Sequence, residues 1–208
     1  MECASTIFAV LLVLAILALI LAKAIKLTVA SSWYKRRYAK RQHYWTELTA
    51  LVFEPLKRKL FADLDKKLKE VNGDVLEIGI GSGQNFQYYP HGTSLIAVDP
   101  NPYVKKLLKD NLEKAGNKVH LKKFVIASAE DMSCKGKVGV EDNSVAAVVC
   151  TKLMCSLTDD QIMKTVQEVK RVLMPVSNKV YFTGVGWGKY LIRRAGGGGG
   201  VCVPACYS

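Results

Sequence analysis

The chain has 208 residues, half of them hydrophobic, and a formal net charge of +12 at pH 7. This length suffices for one domain with a hydrophobic core rather than for two. Strong positive charge is typical of nucleic-acid-binding proteins, but more than half of the excess lies in one short block, which argues against nucleic acid as the partner. The six cysteines are too scattered for a disulfide framework, and the three histidines lack the spacing of a metal site.

The first predicted element is an apolar helix. Residues 3–22 carry no charge, and about 20 apolar residues in a helix match the thickness of a bilayer core. A cleaved signal peptide is the alternative, because residues 22–24 have a small-x-small pattern. Signal peptides normally begin with positive charge, however, and this segment begins with Glu2. We therefore predict a membrane anchor over residues 1–24.

A basic block follows the anchor. Residues 23–41 contain seven lysine or arginine side chains and no acid. Bases on this side of an apolar helix favour a cytosolic position for the rest of the chain and contact with anionic lipid headgroups. A solvated helix face is the alternative for the block. The predicted partner is membrane lipid, through residues 3–22 and 23–41, with no nucleic acid and no obligate protein partner evident.

An amphipathic helix is predicted next, and it completes a segment over residues 25–72. Apolar residues recur every three or four positions, a helical period, with a bend expected at Pro55. Asn72 and Gly73 end the pattern. The apolar positions are Leu48, Leu51, Val52, Leu56, Leu60, Leu64, Leu68 and Val71.

From residue 73 onward, short apolar runs alternate with helical segments. Alternation of this kind predicts a parallel sheet with helices on both faces. Near-continuous apolar strands fit a sheet that is buried on both sides. The runs are Val75–Ile78, Leu95–Val98, Val119–Ile126, Val145–Cys150 and Lys179–Thr183, and the helical segments include 102–115 and 158–173.

Three glycines at alternate positions follow the first run, in VLEIGIGSGQNF. Gly79, Gly81 and Gly83 occupy the turn that faces the ligand crevice of a doubly wound sheet. The dinucleotide fingerprint requires glycine where Gln84 or Phe86 stands, and no Gly-Lys-Ser/Thr follows, so neither that fingerprint nor a P-loop is present. A tight turn without a ligand is the alternative.

Acidic residues follow the second and third runs. Asp99 stands twenty positions after Gly79, where a carboxylate can accept both hydroxyl protons of a ribose. A cap for the helix that starts near Pro102 is the alternative role. Glu130 and Asp131 are placed to meet an adenine edge. A glycine loop with these acids, and without a phosphate cradle, indicates a nucleoside ligand such as S-adenosylmethionine.

The segments LEIGIGSG, AVDPNP, ASAEDM, VVCTKLMCSL and EVKRVLMP resemble class I S-adenosylmethionine-dependent methyltransferases. More narrowly, GQNFQYYPHGTSLIAVDPNP and the anchor resemble the methyltransferase-like 7 family of membrane thiol S-methyltransferases, as far as about Pro175. The resemblance implies a Rossmann-like cofactor domain, expected over residues 73–184. It also implies methyl transfer to small thiols at the endoplasmic reticulum membrane, or at lipid droplets, with the domain facing the cytosol.

The resemblance implies a cofactor contact for most of these positions. Glu77, Asn85 and the three glycines of the loop would line the methionine end of the cofactor. Asp99 would hold the ribose, and Pro100 and Asn101 would shape the adenine wall.

Two further sets of contacts are implied at the ends of the third and fourth strands. Either Glu130 or Asp131 would meet the adenine amine, and the choice stays open. Cys150 and Thr151 would border the methyl group, although Cys150 is equally explained as an ordinary small buried residue. The sequence names no metal ligand, no general base and no catalytic residue.

The chain departs from the family pattern after Pro175. Residues 176–178 replace an expected Gly-Gly turn, and a run of five glycines precedes VCVPACYS. We therefore expect a divergent, flexible tail over residues 185–208 and a sheet that lacks the last antiparallel hairpin. Two alternative functions follow: a truncated, non-catalytic membrane protein that retains only cofactor binding, or a methyltransferase for another small lipophilic acceptor.

Overall fold

The computed structural model describes residues 2–116, 118–133, 139–175 and 180–183. The helices are α1 (Glu2–Ala30), α2 (Ser32–Leu48), α3 (Ala50–Glu70), α4 (Lys105–Lys114) and α5 (Asp159–Val172). The strands are β1 (Asp74–Ile78), β2 (Thr93–Val98), β3 (Val119–Val125), β4 (Val145–Thr151) and β5 (Val180–Thr183). Short 3-10 turns lie at Phe86–Tyr88, Pro102–Val104 and Met154–Ser156.

The five strands form one sheet in the order β3-β2-β1-β4-β5, and every adjacent pair is parallel. The predicted parallel sheet is therefore confirmed. Strand order reverses at β1, whose Ile78 is paired with Val98 of β2 on one side and Cys150 of β4 on the other. In open α/β sheets this reversal opens a crevice at the carboxyl ends of the strands, where ligands bind.

The sheet is covered on both faces, as near-continuous apolar strands require. One face packs against α5, with Leu76 and Ile78 of β1 in that core. The other face packs against α3 and α4, and this core also contains Val75 and Val149. Because side chains alternate along a strand, Glu77 points to the α3 and α4 side.

Helix α2 begins one residue after α1 ends. Ser31 between them caps α2, and its hydroxyl oxygen accepts a hydrogen bond from the Tyr34 backbone N–H at 3.2 Å. Ala39 of α2 is buried in the same core as α3 and α4. Helix α2 therefore packs onto the domain itself.

The predicted amphipathic helix exists, but only part of its apolar face is buried. The first four positions form an outer stripe (Leu48, Leu51, Val52 and Leu56) with exposed fractions of 43–82%. Leu48 ends α2, and α3 then continues through Pro55 to Glu70. The buried residues of α3 are Lys57, Leu60, Phe61 and Leu64. Helical period alone does not reveal which part of a helix meets the sheet.

Within the described residues, Val10–Ala30 of α1 is a helix long and apolar enough to cross a membrane, with a mean hydropathy of 2.7 and none of it buried. A signal sequence would share these properties, so the two interpretations remain those drawn from the sequence. Helix α1 extends past the predicted boundary at residue 24. The expected loss of the last hairpin and the expected tail over residues 185–208 fall outside the described residues.

Core packing of α3 predicts an unequal response to leucine truncation. Leu64→Ala should lower the free energy of unfolding by about 2–5 kcal/mol, because the side chain is fully buried. Leu51→Ala is the matched control: this side chain is 82% exposed, and its truncation should change stability by less than about 0.5 kcal/mol. Urea unfolding of the full chain in detergent measures both. Equal losses would contradict the described packing.

Candidate functional site

The turn after β1 is built from glycines that serve different purposes. Gly79, Gly81 and Gly83 have φ angles of +70°, +55° and +76°, in the left-handed region that favours glycine. A Cβ at Gly83 would lie 2.4 Å from the Phe86 ring, so internal packing requires this glycine. A Cβ at Gly81 would meet no atom within 4 Å. The open side of the turn, where a ligand can approach the backbone, is therefore at Gly81.

Asp99 connects this turn to the end of β2. One carboxylate oxygen accepts a hydrogen bond from the Gly81 N–H at 3.0 Å, and the other accepts one from the Asn101 N–H at 2.8 Å. The side chain is 7% exposed, and this burial raises its pKa. Each oxygen has a second lone pair available to a ribose hydroxyl. The helix-cap alternative is wrong, because Asn101 caps the turn that starts at Pro102.

A buried hydrogen-bonded group surrounds Glu77. Its carboxylate oxygens accept bonds from Asn85 Nδ2 at 2.6 Å and from the Tyr89 hydroxyl at 2.8 Å. Asn85 Nδ2 also donates to the Thr151 hydroxyl at 2.9 Å. Burial raises the pKa of Glu77 to about 7, although both hydrogen bonds oppose the shift. The ends of β1 and β4 are therefore joined through Asn85.

Asn85 leaves one buried acceptor without a partner among the described residues. Its side-chain oxygen Oδ1 is buried and accepts no hydrogen bond. An unsatisfied buried polar atom is costly and needs an explanation. An ammonium group is a suitable donor, and the methionine part of S-adenosylmethionine carries one. Together with the open side of the turn at Gly81, this atom shows that the residues present fit the implied cofactor.

The remaining predicted contacts lie further along the same edge of the sheet. Pro100 is exposed beside Asp99. Glu130 accepts a hydrogen bond from Gln161 Nε2 of α5 at 2.6 Å, and Asp131 accepts one from the Ser133 hydroxyl at 2.6 Å. Both acids follow β3.

Cys150 is an ordinary buried residue in its surroundings. It is 1% exposed and belongs to the core on the α5 side. Burial, with a contribution from the charge of Glu77, raises the pKa of its thiol to about 12. A neutral, enclosed thiol is a poor nucleophile. These properties argue against a nucleophilic role for Cys150 and fit an ordinary small buried residue, while its place beside the methyl group stays a prediction.

Sequence reasoning missed the contribution of α2 to this site. His43 Nδ1 lies 2.9 Å from the Ser82 hydroxyl, and Gln84 Nε2 donates to the His43 carbonyl at 3.1 Å. Asn101 Nδ2 donates to the Lys35 carbonyl at 2.9 Å. Helix α2 thus lies beside both the glycine turn and the Asp99 turn. Nothing in the spacing of the basic block signals this position.

Tyr89 was also missed, although its segment NFQYYPHG was among the residues carrying the resemblance. It contributes the second hydrogen bond to Glu77 and packs its ring edge-on against Phe61 of α3, with centroids 4.6 Å apart. In the described part of the chain, no group of histidine, cysteine and acidic residues is arranged to hold a metal ion.

Comparison with known proteins defines the class of this domain. Residues 76–177 match the family described as a methyltransferase domain. A Methanococcus maripaludis protein solved as a candidate S-adenosyl-L-methionine-dependent methyltransferase has a TM-score of 0.54 and 16% identity, covering 72% of this chain and 64% of that chain. The predicted class I methyltransferase fold is confirmed as a fold, and residues 76–177 are similar in sequence to methyltransferase domains.

Curated relatives make the similarity more specific. Thiol S-methyltransferase TMT1B of Mus musculus is 36% identical over 138 residues, which cover 64% of this chain and 53% of the relative. Its Homo sapiens counterpart is 39% identical over 124 residues, 59% of this chain and 47% of the relative. The chain thus spans about half the length of the curated relatives it matches. The predicted similarity to thiol S-methyltransferases is confirmed.

Burial of Glu77 predicts a pH-dependent stability. On folding, the pKa of its carboxyl rises from the ordinary value of 4.5 to about 7, so between these values the folded state holds a proton that the unfolded chain has released. The free energy of unfolding should therefore fall as pH rises through this range, by at most about 3 kcal/mol.

Glu77→Gln should flatten the dependence of the unfolding free energy on pH, whereas Glu113→Gln, at an exposed position of α4, should preserve it. Urea unfolding at pH 5, 6 and 7 (roughly the window of the two pKa values) measures the slope; identical slopes in all three proteins would show that Glu77 ionises freely.

Proposed function

We propose that this protein is an S-adenosylmethionine-dependent methyltransferase that acts on small thiols while anchored in the endoplasmic reticulum membrane. The observation that carries the proposal is the buried Asp99 carboxylate, hydrogen-bonded to Gly81 at the open side of the glycine turn. A carboxylate at this position of a class I fold suits a ribose. The similarity to thiol S-methyltransferases supplies the acceptor class.

The cofactor contacts follow from position along the strand ends. Glu77 and Asn85, with the glycine turn, would hold the methionine part, where Asn85 Oδ1 supplies an acceptor. Asp99 would bind the ribose hydroxyls. The adenine would lie near Pro100 and Asn101, with its amine toward Glu130 or Asp131. When bound, S-adenosylmethionine supplies an electrophilic methyl group.

The chain's part in the reaction is to align the acceptor and exclude water. Transfer from a sulfonium to a thiolate is a single displacement in which opposite charges cancel, so a dry site favours it. A covalent relay through the protein is unnecessary, and the neutral Cys150 is unsuited to one. A free thiol has a pKa of about 8.5, so a few per cent is ionised at neutral pH.

Membrane attachment is proposed from α1 and the residues that follow it. The large apolar side chains of α1 from Val10 onward are about half exposed or more, which suits a lipid environment. Basic residues 23–41 would lie on the cytosolic side, close to anionic headgroups. The outer stripe at the junction of α2 and α3 adds exposed apolar surface beside the domain. Such an arrangement suits lipophilic thiols that partition into the membrane.

Asp99→Asn tests the cofactor assignment. The change keeps the shape of the side chain but removes its charge, and hydrogen bonds to charged groups are worth about 1.5–3 kcal/mol each. We expect S-adenosylmethionine to bind about 100-fold more weakly, as measured by equilibrium dialysis of the full chain in detergent. Asp110→Asn, at an exposed position of α4, is the matched control and should bind normally.

Methyltransferase activity is measured for the unaltered chain, Asp99→Asn and Asp110→Asn. The assay follows transfer of a labelled methyl group to a simple alkyl thiol. The unaltered chain should transfer methyl, and Asp99→Asn should lose this activity. Normal cofactor binding by Asp99→Asn would overturn the ribose assignment. Cofactor binding without transfer in the unaltered chain would instead support a non-catalytic membrane protein. Transfer to a phenol or quinol but not to a thiol would support another lipophilic acceptor.

Charge placed inside α1 tests the anchor. Leu14→Lys combined with Leu17→Lys puts two charges in the apolar helix, at about 2.5–3.5 kcal/mol each. We expect the variant to move from the carbonate-resistant membrane fraction to the soluble fraction. Leu27→Lys, next to Lys26 at the basic end, should stay in the membrane because its side chain can reach the headgroups. Retention of the double variant would contradict a spanning helix.

A further inference from the structure

Lys57 is a buried cation in the middle of α3. It is 4% exposed, and its ammonium nitrogen lies 5.4 Å from the centroid of the Tyr88 ring. Within the described part of the chain, it takes part in none of the ion pairs with an N···O separation of 4.0 Å or less. Glu77 is the acid whose charge acts on Lys57. Its two carboxylate oxygens accept hydrogen bonds from Asn85 and Tyr89. A buried cation without an ion-pair partner is expensive to keep.

A second lysine is directed to the same helix from the end of β4. Lys152 has a φ angle of +58°, a left-handed conformation that costs a non-glycine residue free energy and is common at functional sites. Its ammonium group donates to the Thr49 hydroxyl at 2.8 Å and lies 4.4 Å from the centroid of the Phe53 ring.

The two lysines meet one face of α3. Thr49, Phe53 and Lys57 follow one another at intervals of four residues, so they lie along the same face. The ammonium group of Lys152 rests on the first two of these residues, and Lys57 occupies the next turn. Burial first, and then the charge of Lys152, lower the pKa of Lys57 to about 8, whereas the charge of Glu77 raises it. Like charges placed along one face repel each other.

This pair lies beside the proposed cofactor site. Lys152 directly follows Thr151, whose hydroxyl accepts the hydrogen bond from Asn85. Asn85 in turn binds Glu77 and leaves its oxygen Oδ1 unpartnered among the described residues. A strained lysine, a buried cation and an unpartnered acceptor therefore converge above the ends of β1 and β4, where the fold brings ligands. Each of these three features lowers the stability of the folded chain, so core stability does not explain why they are present. Binding of a ligand does explain them.

We propose that Lys57 and Lys152 form a binding site for one negative charge of a ligand, a carboxylate or a thiolate. The proposal rests on the methyltransferase function and names how its ligands are held. Two sources of the charge are available in that reaction: the methionine carboxylate of the cofactor and the ionised sulfur of the acceptor. Either anion would replace the mutual repulsion of the two lysines with attraction.

In the thiolate case the chemistry balances without a protein base. The acceptor thiol releases its proton to solvent on binding between the cations. A lone pair on its sulfur then forms the new carbon–sulfur bond, and the electrons of the broken bond stay on the sulfur of the departing S-adenosylhomocysteine. The lysines lower the free energy of the bound thiolate and take no proton themselves.

Methionine substitution at each lysine tests this site. Lys57→Met and Lys152→Met nearly keep the length of the side chain and remove the charge. The thermal unfolding temperature should be unchanged or higher for Lys57→Met, because a buried cation is removed, and slightly lower for Lys152→Met, which loses its hydrogen bond to Thr49. Lys59→Met, at an exposed position of α3, is the matched control. The full chain in detergent is titrated by equilibrium dialysis with S-adenosylmethionine and with methylthioadenosine, which lacks the carboxylate.

The two sources give different results. If the carboxylate is the ligand, both lysine variants should bind S-adenosylmethionine at least about 10-fold more weakly, as expected for loss of a charged hydrogen bond, and bind methylthioadenosine normally. If the thiolate is the ligand, cofactor binding should stay normal. Binding of a labelled alkyl thiol, measured in the presence of S-adenosylhomocysteine, should then weaken at least about 10-fold.

Neither readout requires turnover, so an inactive chain still tests the site. Loss of cofactor binding in Asp99→Asn with no effect of the lysine variants would overturn this proposal and leave the cofactor assignment intact. Normal binding of all three ligands by both folded lysine variants would likewise overturn it. A comparable loss in Lys59→Met would show a general effect of surface charge, which also overturns it.

Discussion

The carboxylate of Asp99 is the interaction on which the rest of the site depends. It joins the Gly81 N–H of the turn after β1 to the Asn101 N–H after β2. Asn101 then reaches the backbone of α2 at Lys35. One buried side chain thus sets the turn, the neighbouring strand end and the covering helix relative to one another. Burial alone would drive the carboxyl toward its neutral form, and the two backbone donors oppose this.

Beside this junction, the ends of β1 and β4 hold more buried polarity than a stable core requires. Asn85 and Tyr89 both donate hydrogen bonds to Glu77. Among the described residues, the side-chain oxygen of Asn85 accepts no hydrogen bond, and Lys57 forms none of the close ion pairs. Apolar side chains of similar size would pack there at lower cost. Sites that bind ligands commonly keep such polar groups prepared in advance and depend on the surrounding fold for stability. Here the two apolar cores on either face of the sheet provide that stability.

Most of the sheet was predictable, because apolar runs between turn residues identify buried parallel strands, and the glycine turn with Asp99 identified the ligand edge. The exposure of the outer stripe was not predictable, because helical periodicity identifies an apolar face but does not show whether another element covers that face. Lys57 was also missed, although it lies three and four residues before the buried Leu60 and Phe61. A lysine on an inward face is a signal that sequence reading discounts, because lysines are rarely buried. The position of α2 depends on long-range contacts that no local pattern records.

The single residue between α1 and α2, Ser31, keeps the first turn of α2 close to the end of α1. Lys35, whose carbonyl holds Asn101, is five residues beyond the end of α1. Because extended backbone at Ser31 interrupts the helix, the limit is set by chain length, and five residues reach at most about 18 Å. In a protein whose α1 spans a bilayer, the wall of the crevice would therefore stand close to the headgroup layer. A lipophilic molecule would then reach the crevice by moving sideways in the membrane, without crossing bulk water.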